Sequence, residues 1–89
     1  MRSKIVAGNW KMHKNAEETE DLLNDLIDKL PNDKETEIIV APTFVNLSSA
    51  VGHLEFTNIQ VAAQNMHQAE SGAYTGEISA SMLKSIGVN

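Results

Sequence analysis

Apolar residues arrive along this chain in two rhythms. Short runs rich in β-branched residues alternate with stretches where leucine and isoleucine recur at three- and four-residue steps. Residues 4–10, KIVAGNW, begin apolar and β-branched and close on Gly8 and Asn9. That pattern predicts a short buried strand. A polar loop follows over 11–15. Asn15 stands three residues before Glu18, the spacing of a capping box. Leu22, Leu23, Leu26, Ile27 and Leu30 then form one helical stripe, and Pro31 with Asn32 ends it. Residues 37–41, EIIVA, are apolar without alternation and are closed by Pro42. This is the signature of a parallel strand covered on both faces. Residues 43–51 predict a short helix stopped at Gly52, and residues 58–63 a third strand. A long polar loop over 64–76 contains Gly72 and Gly76. A helix is expected over 79–86 with Gly87 as its stop. Val88 and Asn89 would start a fourth strand. Strands alternating with helices predict the α/β class, with right-handed crossovers on a parallel sheet. No linker or low-complexity segment interrupts the order.

Composition narrows the function classes. The chain has 89 residues, a net charge of −5 and no cysteine. One domain is expected. Without cysteine there is no disulfide framework, thiolate metal site or cysteine nucleophile. Net acidity argues against a duplex nucleic-acid binder, which needs a basic stripe. No apolar run approaches the roughly 20 residues that cross a bilayer, and the start lacks a signal-peptide core. A cytoplasmic protein with no membrane or nucleic-acid partner is the expectation.

In parallel β/α folds all strands point one way, so the loops after them share one rim where chemistry collects. Here the first strand exits into Asn9-Trp10-Lys11 and the third into Gln64-Asn65-Met66. An amide and an ammonium leaving one strand can hold an anion or a developing oxyanion. Lys11 is the sharpest candidate, against the plain alternative of a solvated surface lysine. Arg2, Lys4, Lys11 and Lys14 are all cationic and no carboxylate precedes Glu17, so an acidic chain carries a positive end. Asn9 either orients Lys11, binds ligand, or caps a turn at the strand end. His13 and His67 lie in carboxyl-end loops, but lone loop histidines are more often bystanders, and His53 has less claim. The acidic residues between Glu17 and Asp28 fall off the leucine stripe and read as a solvated face. They include no metal-ligand pattern. The loop over 64–77 is long for a β/α connection, and its tip, Ala73-Tyr74-Thr75-Gly76-Glu77, points to contact with a partner rather than a disordered excursion.

Four blocks carry a family resemblance: Ala7-Gly8-Asn9-Trp10-Lys11-Met12, Val40-Ala41-Pro42-Thr43-Phe44, Val61-Ala62-Ala63-Gln64-Asn65-Met66 and the run from Ser71 to Ser79, SGAYTGEIS. In order and spacing they resemble triosephosphate isomerase along the whole chain. The resemblance implies that residues 1–89 are the N-terminal portion of a single TIM-barrel domain. The fold would be the first three β/α units of a (β/α)8 barrel, incomplete in this chain. It implies isomerisation of dihydroxyacetone phosphate and glyceraldehyde 3-phosphate by proton transfer, with no metal and no cofactor. Asn9 and Lys11 match the family's substrate-binding asparagine and catalytic lysine. Thr75 matches the residue that reaches into the neighbouring subunit of a homodimer, and Gln64, Asn65, Gly76 and Glu77 match positions supporting that interface.

The departure is one of length. Barrels of this kind take about 250 residues. The family's electrophilic histidine, carboxylate base, lid and late phosphate loops would lie beyond Asn89, and none of His13, His53 or His67 matches the histidine. Three strands leave an apolar inner face and an unpaired edge. The 89 residues alone are therefore expected to be inactive and poorly soluble, partly unfolded or oligomeric. The competing reading is a non-catalytic barrel piece that self-associates or complements a C-terminal partner. An unrelated small α/β module for phosphorylated ligands fits the ordered motifs poorly.

Overall fold

A computed structural model describes residues 4–30 and 36–88. Three parallel strands, β1 (Lys4–Asn9), β2 (Thr36–Ala41) and β3 (Ile59–Val61), lie in the order β1-β2-β3. The register pairs Asn9 with Ala41 and Val40 with Val61. This is the α/β alternation expected, with parallel strands in sequence order. Strand β1 stops one residue short of Trp10, although Trp10 N–H still donates to Ala41 O at 3.1 Å. Strand β3 is shorter than the expected 58–63, and Ala62 N–H extends its ladder by one bond to Val40 O.

Helix α1 (Ala16–Lys29) starts as its sequence dictates. Asn15 accepts from Glu18 N–H at 2.9 Å while the Glu18 carboxylate accepts from Asn15 N–H at 3.1 Å, closing the capping box. The residues expected to end it, Pro31 and Asn32, lie outside the described residues, as do Arg2 and Asn89. Thr19, Leu23, Leu26 and Leu30 are spaced by four, three and four, so Thr19 belongs to the inward stripe and is fully buried. Ile27 sits at the stripe's margin and is exposed. A hydrophobic count alone misses the first residue and includes the second.

The helix expected over 43–51 is instead a 3-10 turn (Phe44–Asn46) running into α2 (Leu47–His53). Gly52 does not stop it. Nothing lies within 4 Å of where a Cβ would sit there, and the helix runs through to a cap at Leu54. Helix α3 (Ala80–Ser85) is capped by Ser79, whose hydroxyl accepts from Met82 N–H. Gly87 takes a left-handed φ of 93° just past the helix, the conformation glycine adopts without penalty. Val88 is buried but lies in no strand.

The core has two parts. Leu23, Ile38, Val40, Ala50, Leu54 and Ile59 join α1 and α2 to the sheet, and Leu47, Leu83 and Val88 form a second cluster under α3. Val61 packs against both. Along β2 only Ile38 and Val40 are fully buried, so one sheet face is covered more completely than the other. The expected burial of β1 is overturned, since all six of its residues are exposed. The helices cover β2 and β3 and leave β1 as an edge.

Candidate functional site

The carboxyl ends of the three strands converge on one knot of hydrogen bonds. Asn9 ends β1, and its Oδ1 accepts from the backbone N–H of Lys11 at 2.9 Å. The side chain thus closes an Asx turn around Trp10. Two of the readings open for Asn9, capping a turn and orienting Lys11, are one and the same contact. Gln64, just after β3, donates through Nε2 to Lys11 O at 2.8 Å and to Ala41 O at 2.7 Å. The ends of β1, β2 and β3 are tied by a single amide, and Asn9 and Lys11 share one rim.

Lys11 is exposed, with a backbone φ of 56°, and Lys14 has a φ of 77°. Non-glycine residues in this left-handed region cost about 1–3 kcal/mol each and persist only where surrounding contacts enforce them. Here the enforcing contacts are visible. Asn9 and Gln64 hold the start of the loop, and the α1 capping box holds its end. A third holder was not signalled by the sequence. Asn46 is fully buried, and its Nδ2 donates to Lys14 O and to Thr43 Oγ1, each at 2.9 Å. Nothing in the pattern FVNLSS points to it, because its partner lies 32 positions away.

The remaining candidates sit elsewhere. Asn65, Thr75, Gly76 and Glu77 are exposed. The last three belong to a turn in which Glu77 N–H donates to Tyr74 O at 3.0 Å and Gly76 adopts a φ of 87°. His67 is fixed in the same loop. Its Nδ1 accepts from Ala69 N–H, and its ring lies on Tyr74 with centroids 4.2 Å apart. A cavity of about 160 Å³ beside it is lined by His67, Tyr74, Glu77 and Met82 among others, smaller than the roughly 300 Å³ at which ligand pockets begin. His53 donates through Nε2 to Asn24 Oδ1 at 2.7 Å, joining α2 to α1. His13 is exposed. No histidine bonds to the Asn9–Lys11–Gln64 knot among the described contacts. Among the described residues no three histidine, cysteine, aspartate or glutamate side chains are grouped to hold a metal, and no helix is long and apolar enough to cross a membrane.

An exposed ammonium on a backbone held in an uncommon conformation, beside a fixed amide, suits an anionic ligand whose charge must meet a positioned cation. The family model described as triosephosphate isomerase matches residues 4–89. Proteins of that name from Flavobacterium psychrophilum and Flavobacterium johnsoniae are 79% and 66% identical to all 89 residues. One from Clostridium botulinum is 47% identical. The chain spans 36% of the length of each of these relatives.

Proposed function

The chain belongs to the triosephosphate isomerase family, and from that premise we propose that it supplies the N-terminal third of such an enzyme's single barrel domain. The enzyme interconverts dihydroxyacetone phosphate and glyceraldehyde 3-phosphate, in glycolysis and gluconeogenesis, in the cytoplasm. Taking a proton from the carbon beside a carbonyl drives negative charge onto oxygen. A fixed cation close to that oxygen lowers the barrier because its attraction grows as the charge develops. Lys11 is the cation in this reading, and it also faces the phosphate. Asn9 sets the turn that presents Lys11 and binds substrate. The observation that carries the proposal is the strained, cross-tied backbone of Lys11 at the strand ends.

The exposed tip around Thr75 is the part proposed to meet a second subunit, with Gln64, Asn65, Gly76 and Glu77 supporting it. The intact mass of the natural product should lie near three times 9.7 kDa. In that full-length protein, Lys11→Ala is expected to lower turnover by about a hundredfold or more, as when a transition-state charge partner is removed. Unchanged turnover in a coupled assay defeats the assignment.

A further inference from the structure

The loop that carries Lys11 is held from outside at two points, and only Gln64 touches the lysine's own carbonyl. The other point is Asn46, reached from the 3-10 turn before α2. Its amide is used one-sidedly. Both bonds leave from Nδ2, while Oδ1 is buried with no hydrogen-bond partner among the described residues. Asn46 also stands at the N-cap of α2, where asparagine ordinarily lends its oxygen to the helix, yet its side chain makes no capping bond. A residue present only to fill space here would be apolar, since an apolar side chain orphans no oxygen. The polar side chain makes sense through what its N–H groups hold: the carbonyl of Lys14, itself at a φ of 77°.

We propose that Asn46 is a positioning residue for Lys11. By pinning Lys14 O it keeps the short loop between β1 and α1 from relaxing out of two left-handed residues, and so fixes where the Lys11 ammonium points. The inference rests on the catalytic reading of Lys11 given above.

The test is a double-mutant cycle in the full-length enzyme, read as kcat/KM with thermal unfolding alongside. Asn46→Leu keeps the branch at Cγ and removes both donors, and the thermal unfolding run alongside reads the cost of its larger size. It is expected to lower kcat/KM about 10- to 100-fold, the scale of loss when a reacting group is displaced by about an ångström. In a Lys11→Ala background the same change is expected to cost less than about twofold, because there is no ammonium left to misplace. Thr43→Val, which retains the Lys14 contact, should stay within about threefold of the parent. If Asn46→Leu does not fold, Asn46→Asp, which also lacks the donor, is taken through the same cycle. Losses of equal factor with and without Lys11, a near-parental Asn46→Leu, or a Thr43→Val as impaired as Asn46→Leu overturns the Asn46 assignment alone. A Lys11→Ala enzyme with undiminished turnover overturns the reading beneath it.

Discussion

Asn9 combines two duties that substitution can separate. Its Oδ1 is an acceptor for Lys11 N–H, and an aspartate places an oxygen in the same position. Asn9→Asp should therefore keep the turn while setting a negative charge beside an anionic substrate. A rise in KM of about tenfold is expected with melting unchanged. Asn9→Ala removes the acceptor as well, so kcat should fall too. Steady-state kinetics on both variants distinguishes a turn cap from a ligand contact, and a parental KM in Asn9→Asp beside an impaired Asn9→Ala would leave Asn9 with the turn alone. Asn9 and Lys11 were legible in the sequence because both lie on one strand exit, two residues apart. Asn46 was not, because a tertiary bond across 32 residues leaves no periodic trace. The role of Gln64 within the chain was hidden for the same reason, its carbonyl partners lying 53 and 23 positions back.

Elements announce themselves through their ends. The Asn15–Glu18 pair was readable because capping is local chemistry, and Asn15→Ala should cost about 1 kcal/mol in urea unfolding of the full-length protein. Two glycines make opposite predictions from their surroundings. Gly52 lies inside α2 with open space at its absent Cβ, so Gly52→Ala should stabilise by roughly 0.5 kcal/mol through helix propensity. Gly87 has a φ of 93°, and a Cβ there would meet Val51 Cγ1 at 2.8 Å. Gly87→Ala should destabilise by about 1 kcal/mol or more. A shift of both urea midpoints in the same direction would contradict this account. Reading Gly52 as a stop failed because a glycine weakens a helix without forbidding it. The burial of Thr19 escaped notice because position on the stripe, not hydrophobicity, put it inside.

At the scale of the molecule, surface area tells most. The chain exposes 6585 Å², whereas a compact monomer of 9.7 kDa scales to about 5,100 Å². The radius of gyration, 13.8 Å, likewise exceeds the roughly 12 Å of a compact domain this long. Part of the excess lies on the first strand. Ile5 and Val6 on β1 are more than half exposed, and β1 has a neighbour on one side only. An unpaired parallel edge with apolar side chains recruits other strands. The 89 residues expressed by themselves should sediment as associated species and show no isomerase activity. A compact monomer that melts cooperatively would refute the first expectation, and near-normal turnover of mass-checked material the second. The βα order and the incompleteness of the barrel were both legible, because alternation and length are properties of the whole chain. The exposure of β1 was not, because an apolar run looks alike whether or not anything covers it.

The reach of Gln64 back to Lys11 also sets a timetable. A polypeptide growing from its amino end makes the lysine's turn early, with Asn9 already in place. The amide that fastens that turn to its neighbour is synthesised 53 residues later, after the residues of β3. Until then the carbonyl of Lys11 lacks that bond, and a ribosome halted before residue 64 holds the lysine without its clasp.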